Sequence, residues 1–145
     1  MILFLDFDGV LHPARAVMGQ HGPELAGNGS LFMWVEQLTE LLAGHGIELG
    51  AHAEELKVYH NMLLQWNTKM DLTNVAPEEM ALRHYADSLV PLKNASWFAR
   101  GTSMIDVGTG AGFPGMAIGI MRPDMKIMLL DSLKKRCDFL SAVVD

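Results

Sequence analysis

Apolar positions along the chain follow two periods. Ser103-Met-Ile-Asp-Val107 and Lys126-Ile-Met-Leu-Leu130 are short, nearly continuous apolar runs, the pattern of strands buried on both faces. Met1 to Phe7 has the same character and reads as a third strand. Elsewhere the spacing is helical. Trp34 to Ala43 carries Val35, Leu38, Leu41 and Leu42 on one face and ends at Gly44 and Gly46. A longer helix over Ala53 to Thr68 has Leu56, Tyr59, Leu63 and either Leu64 or Trp66 as its stripe. A third begins at Pro77, places Glu78 and Glu79 in its first turn where the dipole favours them, and stops before Pro91. Helices over 113–121 and 133–144 complete a strand, helix, strand, helix series; the first is apolar on nearly every side, and the second carries Leu133, Cys137, Leu140 and Val144. Residues 12–30, rich in glycine with Pro13 and Pro23, read as a loop.

This order predicts an α/β fold: a helical N-terminal prelude, then the first part of a parallel, Rossmann-like sheet. Two parallel strands make that sheet incomplete, because such sheets need several strands and cover on both faces. Ile2 to Phe7 is therefore expected to join it in parallel beside Ser103 to Val107, at a vacant edge. Open edges that remain predict self-association, with two chains, a homodimer, as the expected number.

Composition narrows the function. With 145 residues, half of them hydrophobic and 19% charged, the chain suits one folded domain. No apolar run is long enough to span a membrane, and Met1-Ile-Leu-Phe-Leu5 meets Asp6 too early for a signal peptide, so a cytoplasmic location without membrane contact is expected. The single cysteine, Cys137, falls on an apolar helix face and reads as structural. A net charge of −6 argues against a broad phosphate-binding surface, and Lys134-Lys-Arg136 reads as a solvated face.

The chemistry concentrates where the first parallel strand meets its helix. In Asp106-Val-Gly-Thr-Gly-Ala-Gly-Phe-Pro-Gly115, Gly108, Gly110 and Gly112 allow a tight turn and close approach of a ligand, while Pro114 suits a first helical turn. Asp131 ends the next strand, where a carboxylate can accept hydrogen bonds from both ribose hydroxyls of a nucleoside. Asp106, Gly108, Gly110, Gly112, Phe113 and Asp131 form the candidate cofactor site. Arg83, His84 and Asp87 lie within one and a half helical turns and suggest an anchoring cluster, with catalysis the other reading. Tyr59 and Trp66 fall on the core stripe, and His45, His52 and His60 have no metal-ligand spacing.

The N-terminus carries a second chemistry. Asp6 and Asp8 lie on one side of an extended strand tip and could share a divalent cation, one as nucleophile and the other as acid/base.

From about Val35 onward the chain resembles the ribosomal RNA small subunit methyltransferase G family, also called glucose-inhibited division protein B. The resemblance rests on Leu63-Leu-Gln-Trp-Asn67, Asp71-Leu-Thr73, Arg83-His-Tyr-Ala-Asp-Ser-Leu89, Ile105 to Gly115, Arg122-Pro123, Leu129-Leu-Asp-Ser-Leu133 and Lys135-Arg136. At Asp71 the family usually has asparagine. The resemblance implies an S-adenosylmethionine-dependent enzyme that methylates N7 of a guanine in 16S ribosomal RNA, with Gly108 to Gly112 facing the methionine and ribose parts of the cofactor and Asp131 the ribose hydroxyls. It also implies that the family's later strands are absent, so that cofactor binding is weak and methyl transfer undetectable.

Residues 1–34 resemble the start of a haloacid dehalogenase-like hydrolase through Asp6-Phe-Asp-Gly-Val-Leu-His-Pro13, Gly22-Pro-Glu-Leu25 and Leu31-Phe-Met-Trp34. That resemblance implies Asp6 as nucleophile, Asp8 as acid/base and Mg²⁺ as the metal, but 35–145 offers none of the further residues such an enzyme needs. The two resemblances divide the chain into 1–34 and 35–145, a chimera joined near Trp34 to Leu38. The functional expectation is a truncated methyltransferase, with an inactive folding module and a phosphohydrolase as alternatives.

Overall fold

The computed structural model describes residues 5–7 and 28–144. Its sheet has three strands in the order β1 (Leu5–Phe7), β3 (Lys126–Leu130), β2 (Ser103–Val107). β2 and β3 are parallel, with Met104 beside Ile127 and Asp106 beside Leu129, as the apolar runs predict. Helix α4 (Gly115–Met121) crosses between them, and α5 (Lys134–Val144) follows β3.

The placement of the N-terminal strand corrects the sequence reading. Leu5–Phe7 joins the sheet on the far edge of β3, antiparallel, with Asp6 opposite Met128, and is not paired with β2. An antiparallel ladder has bonds perpendicular to the strands and is slightly more stable per residue, so a three-residue strand gains most by pairing that way. Residues 2–4, Asp8 and nearly all of the expected 12–30 loop lie outside the described residues, and helix α1 already starts at Asn28, running to Ala43.

Helix α2 spans His52–Met70 and buries Leu56, Tyr59, His60 and Leu63. It ends on Asp71, whose φ of 48° is left-handed, a conformation that both aspartate and asparagine tolerate better than other side chains. The next segment, 77–93, changes pitch repeatedly. A 3₁₀ turn (Pro77–Glu79) leads into a π-helical stretch (Ala81–Ala86), a short α3 (Asp87–Leu89) and a second 3₁₀ turn (Val90–Lys93). The α-helical pitch stops at Leu89, before Pro91 as expected, and the chain continues as a separate 3₁₀ turn that accepts proline near its start, where no amide donor is needed.

Prelude and sheet share one core. Ile127 and Leu129 on the sheet and Met116, Ala117 and Ile120 on α4 are buried on one side. The prelude adds an aromatic group: Trp34 stacks on His60 at 4.1 Å and meets the edge of Tyr85 at 4.6 Å, and Tyr59 packs against Tyr85 and Phe113. Cys137 is buried, as expected.

Candidate functional site

The glycine loop divides into two kinds of position. Gly108 (φ 78°) and Gly110 (φ 63°) need the left-handed backbone, and a Cβ at either would meet no side chain within 4 Å. Nothing in the packing requires these two to be bare, so their openness leaves the backbone approachable from outside. Gly112 (φ 105°) and Gly115 serve packing instead. A Cβ at Gly112 would lie 2.6 Å from the Tyr59 hydroxyl, and one at Gly115 would run into Leu129 Cδ2 and lie 2.7 Å from Asp106 Oδ2.

Both acids of the candidate site are tied to this loop. Asp106 is buried and its Oδ2 accepts from the Gly115 amide at 2.8 Å, holding the start of α4 against the strand tip. Asp131 reaches back across the sheet: Oδ2 accepts from the Gly110 amide at 2.9 Å and from Arg136 Nη1 at 3.3 Å, and Oδ1 from the Leu133 amide at 2.9 Å. Burial alone would raise the Asp131 pKa. The Leu133 and Gly110 amides and the Arg136 charge outweigh that and hold it below the usual carboxylate value.

The prelude grips the same loop from the other side. The Tyr59 hydroxyl donates to the Ala111 carbonyl at 2.6 Å. Burial, reinforced by the Asp106 charge, pushes its pKa well above the ordinary tyrosine value, so it remains a donor. His84 stacks on Phe113 at 4.4 Å, nearly parallel, and its Nε2 lies 2.7 Å from Thr73 Oγ1. Asn67 fixes Thr73 in turn, accepting from its amide and donating to its carbonyl. Burial and the neighbouring Arg83 charge lower the His84 pKa, with Asp87 opposing them.

The structure refines two sequence expectations here and adds two roles that the sequence did not show. Arg83, His84 and Asp87 do not form one mutual cluster, since Arg83 pairs with Glu79 at 2.9 Å while His84 turns to Thr73 and Phe113. The π-helical turn explains the divergence, because its wider pitch changes which side chains share a face. Lys134 and Lys135 are exposed, as a solvated face requires, although Lys135 Nζ also donates to the Met70 carbonyl at the end of α2; Arg136 is half-buried and reaches Asp131. The buttressing roles of Tyr59 and His84 were not legible, because their partners lie on other elements; the signal available was only an aromatic on a helix stripe and a histidine inside a recognisable motif.

A cleft of about 520 Å³ runs beside the loop, lined by Thr73, Arg83 and His84 from the prelude and by Thr109, Gly110 and Phe113. Thr109 is 2% exposed and its hydroxyl has no hydrogen-bond partner in the protein. An unpartnered buried hydroxyl costs roughly 1–3 kcal/mol, a cost that a polar ligand in the cleft would relieve. The donor set thus fits a polar cofactor along Gly108 to Gly110. At the N-terminus, Asp6 sits in β1, whereas Asp8 lies outside the described residues. Among the described residues no group of three His, Cys, Asp or Glu could hold a metal ion, and no helix is long and apolar enough to cross a membrane.

Removing the Tyr59 hydroxyl tests the buttress. Tyr59→Phe is expected to lower stability by about 1–2 kcal/mol, since the buried Ala111 carbonyl loses its donor while ring packing is kept. Chemical denaturation checks it, and an unchanged midpoint would show that water replaces the hydroxyl without cost.

Comparison with known proteins adds independent findings. The family model for GidB, rRNA small subunit methyltransferase G, matches residues 52–145. Proteins named ribosomal RNA small subunit methyltransferase G are similar over much of this chain. That of Desulfitobacterium hafniense (strain Y51) is 43% identical over 100 residues, covering 68% of this chain and 40% of its own length. That of Staphylococcus aureus (strain JH9) is 40% identical over 111 residues, 75% of this chain and 46% of its own. The chain spans less than half the length of these relatives.

Proposed function

The chain belongs to the GidB family, rRNA small subunit methyltransferase G, and from that premise we propose that its glycine loop is an S-adenosylmethionine site inherited from that enzyme. The observation that carries this reading is the pairing of two open glycines, Gly108 and Gly110, with the unpartnered Thr109 hydroxyl at the adjoining cleft. When bound, the cofactor supplies a methyl group on a sulfonium for transfer to a nitrogen nucleophile. The chain's own residues bind and orient. Gly108 and Gly110 let the ligand approach the backbone, Thr109 offers a hydroxyl, and Asp131 offers carboxylate lone pairs to ribose while keeping the loop closed.

In this reading the reaction is methylation of guanine N7 in 16S ribosomal RNA, in the cytoplasm. The acidic net charge argues that these 145 residues hold RNA only weakly by themselves. We also read the chain as a chimera, with the methyltransferase part starting near Trp34 to Leu38.

Titration calorimetry with S-adenosylhomocysteine tests the cofactor reading. A dissociation constant of roughly 0.1–1 mM is expected, corresponding to about −5 kcal/mol. Thr109→Val should weaken binding by about tenfold while leaving stability unchanged or slightly raised, because it removes an unsatisfied buried hydroxyl without changing volume. Absence of saturable heat up to several millimolar would overturn the reading, as would a Thr109→Val protein that binds as well as its parent.

A further inference from the structure

Of the grouped residues Arg83, His84 and Asp87, the first two have partners: Arg83 pairs with Glu79 at 2.9 Å, and His84 meets Thr73 and stacks on Phe113. Asp87 differs. It is exposed, its carboxylate makes no hydrogen bond or ion pair among the described residues, and its charge is felt at the His84 ring. It lines the same cleft as Thr109 and Gly110, where Pro91, Phe98 and Phe113 add an apolar, largely aromatic wall. The charge balance along this wall is negative. Glu79 offsets Arg83, burial and the Arg83 charge hold the His84 pKa below its ordinary value, and no cation pairs with Asp87 among the described residues.

A negative cleft with an aromatic wall repels phosphate and favours a planar cation. Methyl transfer to guanine N7 creates one. The ring lone pair forms the new C–N bond as the C–S bond breaks onto sulfur; no proton leaves, and the positive charge of the sulfonium passes to the purine. An anion beside the purine therefore stabilises the transition state and product more than the substrate. We propose that Asp87 is that anion, so that the cleft holds a purine cation in preference to the neutral purine. The proposal rests on the methyltransferase reading and deepens it, assigning Asp87 to the charge on the accepting base and not to the cofactor.

Two nucleosides test this without cofactor or turnover, because 7-methylguanosine carries the charge permanently and guanosine does not. Both are titrated into the full chain by calorimetry at about pH 6.5, where 7-methylguanosine keeps its N1 proton and so its net positive charge. 7-Methylguanosine is expected to bind at least about tenfold more tightly than guanosine. Asp87→Asn alters an exposed side chain of nearly the same shape; with its circular dichroism unchanged, it should lose most of that preference while its affinity for guanosine stays the same. S-adenosylhomocysteine separates the two readings. If it fails to bind the parent protein while the nucleoside preference holds, the cofactor reading falls and the role of Asp87 stands. Four results would overturn the proposal: no saturable binding of 7-methylguanosine up to several millimolar, equal affinity for the two nucleosides, a preference that survives in Asp87→Asn, or a loss of S-adenosylhomocysteine affinity in that variant, which would assign the carboxylate to the cofactor's ammonium group.

Discussion

Gly112→Ala is expected to lower the stability of this protein by on the order of 3 kcal/mol, a large effect for one added methyl group. Two costs add. At φ 105° an L-residue is strained by roughly 1–3 kcal/mol, and the new Cβ would lie 2.6 Å from the Tyr59 hydroxyl and 3.0 Å from both Leu140 Cδ2 and Met116 Cβ. The neighbours cannot easily yield. Tyr59 is fully buried and tethered to the Ala111 carbonyl, and Met116 Cβ is fixed by the helix backbone. Against a total of about 5–15 kcal/mol, a loss of this size should bring the thermal midpoint down by roughly 10 °C. Gly108→Ala is the control, with a comparable left-handed φ but nothing within 4 Å of its Cβ, so only a strain of about 1 kcal/mol is expected. Adding Tyr59→Phe to Gly112→Ala should recover part of the loss, because the closest atom is the oxygen it removes. Equal midpoints for the Gly108 and Gly112 variants would show that conformation alone, and not packing against the prelude, sets the need for glycine.

That contrast marks where sequence reading works and where it stops. The strand, loop, helix order around Gly108 to Gly115 was legible because its determinants are local: apolar runs, glycine spacing and a proline that suits a first turn. The parallel pairing of β2 with β3 followed from the same pattern. What each glycine does was not legible, because the atoms that decide it lie on other elements, Tyr59 on α2 for Gly112 and Leu129 on β3 for Gly115. The same holds for His84. Its motif was visible, but stacking on Phe113 and bonding to Thr73 depend on a π-helical turn that no periodicity announces. The N-terminal strand was legible as a strand and misplaced as a partner, since apolarity fixes burial but says nothing of direction or neighbour.

Asp131 brings the sequence and structural readings into direct competition. The sequence assigns its carboxylate to ribose hydroxyls, whereas the structure gives it the Gly110 and Leu133 amides and the Arg136 guanidinium. Asp131→Ala is expected to cost about 2–4 kcal/mol, because these donors lose their acceptor at a nearly buried position and the loop loses its tie to β3. Asp131→Asn should fall between, since one carbonyl oxygen replaces two carboxylate oxygens and the amide cannot accept at its nitrogen. The pH dependence has a definite sign. A carboxyl whose folded pKa is depressed contributes stability that is fully present above the unfolded value of about 3.9 and is lost as pH falls through the folded one. The gap between parent and Asp131→Ala, followed by urea denaturation, should therefore be constant from pH 5 to 7 by this group and shrink below about pH 4. A gap that persists undiminished at the acid end would show that the carboxylate's charge is not what stabilises the loop. The cofactor reading adds a further constraint. With three donors already placed on Asp131, ribose hydroxyls can be accepted only at its remaining lone-pair positions or by displacing the Gly110 amide. Exchange at the Gly110 amide during titration with S-adenosylhomocysteine separates these cases: slower exchange means that ligand and loop share the carboxylate, and faster exchange means that the ligand opens the loop's own latch.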